Sequence, residues 1–469
     1  MKYVSTRGAA PILGFDDVVL TGLARDGGLY VPQFWPRLSD ENLRAMAQLN
    51  YPALAARVMA PFAGPSVQEP DLRAITGAAY ADFDHPLVAP LKRLGPKLWL
   101  LELFHGPTLA FKDFALQILG RLFDLILARR GERITIVGAT SGDTGSAAIE
   151  ACRDRAFVEI FILHPKGRVT EVQRRQMTTV DAPNVHNIAI EGTFDDCQDL
   201  VKAMFNDTAF RERMNLAAVN SINWARILAQ ITYYIHAALT LGGPGQPVAF
   251  AVPTGNFGNV FAAFAAHRLG APISHLVVGS NRNDILTRFF DSGRMEMGAV
   301  FPTLSPSMDI QVSSNFERLL FELYDRDGAT VAGLMGEFRE HRAFQVDRAR
   351  WQRAKGLFSA CRIDDEATTD AIRAIYDETG ELLDPHSAIG VAAARAIRKD
   401  DGVPVVAVAT AHPAKFPDAV ERATGFRPPL PPRLADLMDR PERYTALPAD
   451  LGAVEDHIVA SRDARKARA

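Results

Sequence analysis

Between residues 98 and 410, short and nearly continuous apolar runs alternate with segments in which apolar residues recur every three or four positions. The apolar runs predict buried strands at 98–103, 133–139, 158–163, 184–190, 247–253, 274–280 and 403–410. The periodic segments predict helices near 144–155, 195–206, 222–241, 257–269, 364–379 and 386–398. Strands that are apolar on both faces and are joined through helices are typical of a parallel sheet covered on both sides. The sequence therefore predicts an α/β fold.

The chain is less regular outside this alternation. Residues 1–95 combine short helical segments with glycine and proline punctuation, so we expect a separate, mixed N-terminal domain. An irregular insertion is expected at about 295–350, where Ser314 and Glu317 have the spacing of a capping box that opens the helix NFERLLFELYD. Residues 431–469 are rich in proline and then in charge, which indicates a strap that ends in a frayed tail.

Composition excludes several classes of function. The 469 residues are 48% hydrophobic and 23% charged with a net charge of −3, so no overall basic field attracts nucleic acid or an anionic membrane. No apolar run is long enough to span a bilayer and no signal peptide is evident, so we expect a cytoplasmic protein. Cys152, Cys197 and Cys361 are far apart and the histidines form no HExxH motif, which favours buried thiols and no metal.

One lysine stands in an unusual context, within LELFHGPTLAFKDFALQILG at 101–120. Apolar residues recur at helical spacing after Lys112, which places this lysine at the N-terminal end of a buried helix. Desolvation and the positive end of the helix dipole both oppose its charge, and a neutral amine is what a Schiff-base lysine requires. The alternative is a lysine that extends to water beside a partner such as Asp113.

Two glycine-rich turns each follow a strand and open a helix. In VPTGNFGNVF, the turn consists of Gly255, Asn256, Phe257, Gly258 and Asn259, whose backbone N–H groups are suited to bind an oxyanion at a helix N-terminus. In VGATSGDTGSAA, the residues Ser141, Gly142, Asp143 and Thr144 offer hydroxyls and amides to a carboxylate or phosphate. The turn at 255–259 could also be a tight turn without a ligand.

A dinucleotide-binding turn is the rival interpretation of the first of these turns in the chain. Its glycines are not spaced as G-x-G-x-x-G, and the next strand ends in His164-Pro165-Lys166 where an acidic residue would bind the ribose. Neither turn carries the G-K-[ST] of a Walker A loop. The motifs therefore argue against a nucleotide.

A third cluster, NSINWAR, opens the helix near 222–241. Asn220 or Ser221 could simply cap that helix. However, Ser221 and Arg226 lie near one helix start, where a fixed guanidinium can bind two oxygens of a phosphate. The lysine, the two turns and this cluster together indicate a phosphorylated cofactor and an anionic substrate.

With these motifs in place, the chain resembles the threonine synthase family, pyridoxal-phosphate (PLP) enzymes of the tryptophan-synthase-β fold type. The segments that carry the resemblance run in family order from about residue 100 to 420: HGPTLAFKDFALQ, GATSGDTGSAA, NSINWARILAQITYY, PTGNFGN, SPSMDIQVSSNFERL, DPHSAIG and ATAHPAKFPDA. The resemblance implies a two-lobed, parallel-sheet catalytic domain of fold type II at 96–430. Its smaller lobe would lie at about 130–215, and the N-terminal domain would be that of the longer form of the family.

The resemblance also implies roles for individual residues. Lys112, with Phe111 beside it, would hold the cofactor covalently, and Thr410 would face the pyridine nitrogen. The cofactor phosphate would bind to Gly255, Asn256, Phe257, Gly258 and Asn259. The substrate would bind to Ser141, Gly142, Thr144, Asn220, Ser221 and Arg226, the last three at its phosphate. Asp143 stands where many relatives have an asparagine that contacts the cofactor's phenolic oxygen. An aspartate needs a proton or another partner to do so, and its role stays open, as does that of the turn at 384–387.

The activity implied is PLP-dependent conversion of O-phospho-L-homoserine and water to L-threonine and phosphate, by γ-elimination and β-addition. The alternative is a phospho-lyase or dehydratase of the same fold that gives 2-oxobutyrate. A dehydratase has no use for a substrate-phosphate site, so NSINWAR argues against it. We expect a small-molecule substrate, and a monomer or small homo-oligomer.

Overall fold

The computed structural model describes residues 1–397 and 402–466. Its strands are β1 (Tyr3–Ser5), β2 (Tyr30–Pro32), β3 (Leu91–Gly95), β4 (Leu98–Glu102), β5 (Ile134–Ala139), β6 (Val158–Pro165), β7 (Val185–Glu191), β8 (Leu216–Ala217), β9 (Val248–Pro253), β10 (Ile273–Ser280), β11 (Arg294–Glu296), β12 (Ala343–Gln345), β13 (Phe358–Arg362), β14 (Val405–Ala409) and β15 (Thr445–Pro448).

The helices alternate with these strands. They are α1 (Phe15–Thr21), α2 (Asp40–Met46), α3 (Tyr51–Ala63), α4 (Glu69–Tyr80), α5 (Lys112–Arg130), α6 (Asp143–Cys152), α7 (Glu171–Thr178), α8 (Phe194–Asn206), α9 (Thr208–Met214), α10 (Trp224–Gly242), α11 (Gly258–Leu269), α12 (Ile285–Ser292), α13 (Phe316–Leu323), α14 (Gly328–His341), α15 (Arg348–Leu357), α16 (Asp365–Thr379), α17 (Pro385–Ile397), α18 (Pro417–Thr424) and α19 (Leu451–Lys466). All seven predicted strands and all six predicted helices are confirmed within a few residues, although position 398 of the predicted helix at 386–398 lies outside the described residues.

The chain divides into two compact units. The first unit consists of Met1–Val18, Leu23–Ala115 and Ser221–Pro428, and the second consists of Val19–Gly22, Leu116–Asn220 and the chain from Pro429 onward. Among the described residues, no helix is both long and apolar enough to cross a membrane.

The first unit is built on a six-stranded sheet with the order β13-β10-β9-β14-β4-β3. Its neighbours pair in parallel except at the β3 edge, where β3 runs antiparallel to β4. Apolar side chains of these strands pack against α16 and α17 through Ile372, Ile375, Ala388 and Val391. Because parallel strands all end at the same edge, the loops that follow β9, β14 and β4 leave from adjacent positions.

The second unit has a wholly parallel sheet with the order β15-β7-β6-β5-β8. Its core joins Phe161 and Ile188 of the sheet to Met204 of α8. Val454 and Ile458 of α19 belong to the same core and are fully buried, and burial of such side chains contributes about 1.5–3 kcal/mol each.

The prediction of an irregular strap and frayed tail at 431–469 is therefore wrong for most of that segment. Residues 445–448 form a strand that pairs in parallel with β7, and residues 451–466 form a helix; residues 467–469 lie outside the described residues. The composition was misleading because the apolar residues of α19 that pack in or against this core, Leu451, Val454, Ile458 and Val459, are spread among polar and small residues.

The predicted capping box is also wrong. Helix α13 begins after Asn315 and has no side-chain cap, and the Ser314 hydroxyl donates to Asn256 Oδ1 at 3.4 Å. The Glu317 carboxylate is bound by the Arg7 guanidinium at 3.1 and 2.9 Å and by the Thr6 hydroxyl at 2.5 Å. The Glu317 carboxylate therefore bonds to the N-terminal segment and not to the start of its own helix, so the long-range ion pair replaces the local capping box. The region around 295–350 is also more regular than expected, since it contains β11, β12, α13, α14 and α15.

Candidate active site

Lys112 is the first residue of α5 and is only 8% exposed. Its Nζ lies 5.0 Å from the centroid of the Phe111 ring. Asp113 is engaged by the preceding turn, because its carboxylate accepts hydrogen bonds from the Thr108 N–H at 2.8 Å and the Thr108 hydroxyl at 2.6 Å. A Cβ at Gly106 would lie 2.5 Å from the same carboxylate, so the turn requires glycine there. This turn fixes the helix start and keeps Lys112 buried.

Thr410 lies beside this helix start. It follows β14, which pairs in parallel with β4, and its carbonyl accepts a hydrogen bond from the Phe111 N–H at 2.9 Å. Its own N–H donates to the Ser387 Oγ at 3.0 Å. Both backbone polar groups of Thr410 are therefore bonded, which holds the buried residue next to the lysine segment.

The turn at 384–387 positions the Ser387 hydroxyl that accepts from the Thr410 N–H. Asp384 Oδ2 accepts from the His386 N–H at 2.9 Å and the His386 Nδ1 at 2.7 Å. Its Oδ1 accepts from the Ser387 N–H at 3.0 Å and from the Ser387 hydroxyl. This fully buried carboxylate thus caps α17 and orients the serine that bonds to Thr410.

The 255–259 loop follows β9 and leads into α11. Two of its carbonyls accept hydrogen bonds from the segment 313–315. The Gly255 carbonyl accepts from the Ser313 hydroxyl at 2.7 Å, and the Asn256 carbonyl accepts from the Asn315 N–H at 3.1 Å. Within the described part of the chain, none of the backbone N–H groups of residues 255–259 donates a hydrogen bond to the protein. Phe257 adopts a left-handed φ of 61°, which closes the turn. The backbone N–H groups of the loop are therefore available to donate hydrogen bonds to a ligand.

An anion such as a cofactor phosphate fits this loop. The Asn259 Oδ1 accepts from the hydroxyls of Tyr233 at 2.5 Å and Tyr234 at 2.7 Å, while its Nδ2 is buried and has no partner among the described residues. A buried donor without a partner costs about 1–3 kcal/mol, so it points to a missing acceptor. A Cβ at Gly255 would lie 3.1 Å from the Met308 Cα and 3.2 Å from the Ser307 carbonyl oxygen, which explains the glycine.

Arg226 lies in the first turn of α10 and is 3% exposed. Burial lowers the pKa of its guanidinium to about 10, so it stays charged at neutral pH. The cap of α10 is Asn223, whose side chain accepts from the Ala225 N–H at 2.9 Å. The alternative that Asn220 or Ser221 caps this helix is therefore wrong. The Ser221 carbonyl accepts from the Asn315 Nδ2 at 3.3 Å, which connects this segment to the residues behind the 255–259 loop.

The remaining predicted residues lie in the second unit: Ser141, Gly142, Asp143 and Thr144 at the start of α6, and Asn220, which is exposed. The Thr140 hydroxyl accepts from the N–H groups of Gly142 at 3.0 Å and Gly145 at 2.8 Å, which shapes the turn. Gly142 has a φ of 141°, and a Cβ there would lie 2.5 Å from the Gln173 amide.

Gln173 is a residue that sequence reasoning missed. Its Nε2 donates to the Asp143 Oδ1 at 2.8 Å, and its Oε1 accepts from the Thr170 hydroxyl at 2.9 Å. The Asp143 carboxylate is therefore held by a glutamine from another helix, and its contact with the cofactor stays a prediction. The contact spans thirty positions, and nothing in the local sequence indicates it.

We expect Gln173→Leu to lower the free energy of unfolding by about 1–3 kcal/mol, because the buried Asp143 carboxylate loses a donor. The measurement is urea-induced unfolding of Gln173→Leu, Asp143→Ala and the double variant. The double variant should be less destabilised than the sum of the two single variants, by about 0.5–3 kcal/mol. Additive effects would mean that the contact contributes nothing.

A family profile described as pyridoxal-phosphate dependent enzyme matches residues 84–337. Together with the parallel sheets, the buried lysine and the anion-binding loop, it defines the class: a PLP-dependent enzyme of fold type II, whose cofactor is pyridoxal 5′-phosphate. Profiles described as threonine synthase N terminus and threonine synthase, C-terminal match residues 2–80 and 387–458, and the first of these confirms the separate N-terminal domain.

Individual relatives narrow the class. Threonine synthase of Pseudomonas aeruginosa is 57% identical over 459 residues, 98% of each chain. The crystal structure of PLP-bound threonine synthase from Brucella melitensis superposes with a TM-score of 0.97 at 52% identity, covering 98% of this chain and 99% of that one. Threonine synthase from yeast gives a TM-score of 0.93 at 39% identity with the same coverage. The chain belongs to the threonine synthase family, and it is a PLP-dependent lyase.

Proposed function

We propose that the enzyme converts O-phospho-L-homoserine and water to L-threonine and phosphate by γ-elimination and β-addition. The observation that supports this proposal is that the first unit contains two segments suited to bind an anion. The 255–259 loop suits the cofactor phosphate, and the segment with Ser221 and the buried Arg226 suits a second phosphate.

In this proposal the 255–259 loop and Asn259 bind the cofactor phosphate, and the Thr410 hydroxyl faces the ring nitrogen. When bound, the cofactor withdraws electrons from the substrate's Cα. Lys112 first holds the cofactor and then, as a free amine, removes the proton from the substrate Cα. Thr410 is uncharged, which leaves the ring nitrogen a weaker electron sink and suits elimination and replacement chemistry.

The phosphate of the substrate would bind Ser221, Asn220 and Arg226, whose positive charge stabilises the phosphate as it leaves Cγ. Ser141, Gly142 and Thr144 would bind the carboxylate or phosphate of the substrate, with the hydroxyls of Ser141 and Thr144 as donors. Asp143, held by Gln173, would contact the cofactor's phenolic oxygen only with a proton or another partner, so its role stays open. Protons would leave Cα and Cβ as phosphate leaves Cγ, and one proton would return to Cγ. Hydroxide from water would then add at Cβ, and a proton would return to Cα.

Product analysis tests this proposal. With O-phospho-L-homoserine as the sole substrate, we expect threonine and inorganic phosphate in equal amounts, measured by proton and phosphorus NMR. Formation of 2-oxobutyrate without threonine would instead identify a phospho-lyase. Turnover of unphosphorylated serine or threonine at a comparable rate would identify a dehydratase.

Three broader expectations belong to the same proposal. We propose a cytoplasmic enzyme that binds a small molecule and no nucleic acid. The net charge of −3 supports the last of these expectations. We also propose a monomer or small homo-oligomer, which light scattering would test. The proposed domains are 1–95 and 96–430, with a smaller lobe at about 130–215, and residues 431–469 following them.

A further inference from the structure

Arg318 is a fully buried cation whose hydrogen bonds end on uncharged oxygens. It lies in α13 and is 0% exposed. Its Nε and Nη2 donate to the Tyr30 carbonyl at 3.2 and 3.1 Å, its Nη2 to the Ile222 carbonyl at 2.6 Å, and its Nη1 to the Asn315 Oδ1. Burial lowers the pKa of Arg318 to about 9, so the group is still charged at neutral pH.

The neighbouring carboxylate does not hydrogen-bond to this charge. Glu317, the preceding residue, raises the pKa of Arg318, but its own oxygens are bound by Arg7 and Thr6. A buried charge is costly unless an opposite charge compensates it. The first unit therefore holds a positive charge that an anion would stabilise.

Arg318 lies directly behind both anion-binding segments. The Asn315 Oδ1 accepts the hydrogen bond from Arg318 Nη1. Asn315 in turn donates from its backbone N–H to the Asn256 carbonyl at 3.1 Å and from its Nδ2 to the Ser221 carbonyl at 3.3 Å. A Cβ at Gly258 would lie 3.2 Å from the same Nδ2, so Asn315 packs closely on the loop. The Ile222 carbonyl, which Arg318 also holds, follows Ser221 in the chain.

The position of Arg318 behind the 255–259 loop compensates for the lack of a basic residue in that loop. The loop contains no basic residue, although it is suited to bind a phosphate. A buried charge still acts on a phosphate when one residue lies between them, because the protein interior screens the charge less than water does.

We propose that Arg318 is a positioning residue that supplies positive potential to both anion-binding segments from behind and ties them to the N-terminal domain through Tyr30. The part of this inference that concerns the second segment rests on the proposed substrate. The part that concerns the 255–259 loop rests only on the cofactor.

The decisive experiment compares two forms of the cofactor, with and without its phosphate. Apoenzyme prepared from the wild type and from Arg318→Met is titrated with pyridoxal 5′-phosphate and with pyridoxal, and binding is followed by absorbance. Because the lost charge acts on the phosphate, the Kd for pyridoxal 5′-phosphate should rise about tenfold while that for pyridoxal changes by less than about twofold. Arg318→Lys, which keeps the charge, should recover part of the loss.

Arg326→Met is the matched control. Arg326 also reaches the N-terminal segment, donating to the Pro32 carbonyl at 2.5 Å, but it is paired with Glu322 at 3.3 Å. Its loss should leave the ratio of the two dissociation constants unchanged. If Arg318→Met raised both dissociation constants equally, or raised neither, the proposal would be overturned and Arg318 would be purely structural.

A second variant covers the case in which Arg318→Met does not fold. Asn315→Asp preserves the shape of the side chain and places a carboxylate against Arg318, which cancels its charge. The same selective loss of affinity for pyridoxal 5′-phosphate is expected, and an unchanged ratio refutes the proposal. These titrations are independent of product analysis, so a different substrate would leave the result for the cofactor loop intact.

Discussion

Lys112→Ala should lose the absorbance near ~410–420 nm that a lysine-bound cofactor gives, and turnover should fall by about 10³-fold or more. The reason is that one amine serves twice: it holds the cofactor covalently, and it then carries the proton from the substrate Cα. The residues on either side of Lys112 in the chain are not substitutes, because Phe111 is apolar and the Asp113 carboxylate is engaged by Thr108. The measurement combines the absorption spectrum with steady-state turnover of O-phospho-L-homoserine.

Borohydride reduction of the holoenzyme locates the covalent bond independently of activity. Mass spectrometry of the digested protein should find the reduced adduct on Lys112. Lys166→Ala is the control, because Lys166 is exposed and its ammonium forms a surface ion pair with Glu191 at 3.0 Å. A coloured Lys112→Ala protein with an adduct on another lysine would show that the assignment is wrong.

Arg226→Ala should weaken binding of the phosphorylated substrate by about 2 kcal/mol or more, which is a rise in KM of about thirtyfold. The guanidinium is 3% exposed, so its interaction with a phosphate is only weakly screened. Its effect should be confined to the phosphorylated substrate. Cofactor affinity and the visible spectrum should remain close to those of the wild type.

Two further variants decide between a binding role and a structural role for Arg226. Arg226→Lys keeps the charge but loses bidentate geometry, so we expect an intermediate KM. Arg268→Ala removes a largely exposed arginine from the end of α11 and should leave the kinetics unchanged. Unchanged KM and kcat in Arg226→Ala would show that this arginine only packs the helix.

The sequence by itself determined the elements and the chemistry they carry. The two strand–turn–helix segments and the helix that begins at Lys112 follow from patterns over ten to twenty residues, because apolar periodicity and glycine turns are local properties. The same is true of the parallel sheets, which continuous apolar strands joined through helices imply. The family resemblance added the cofactor and the class of reaction.

Only the tertiary structure decided which of these segments lie side by side. The sheet order brings β4, β14 and β9 together, so that Thr410 reaches Phe111 across about three hundred positions of the chain. Other contacts within each unit also join separate segments of the chain. In the second unit Gln173 bonds to Asp143, and in the first unit Asn315 bonds to the 255–259 loop and Arg318 bonds to Tyr30 and Ile222. No local period encodes such contacts, since they form only when apolar burial brings remote segments together and their polar groups must then find partners. The same physics drew Glu317 away from its local capping motif to Arg7.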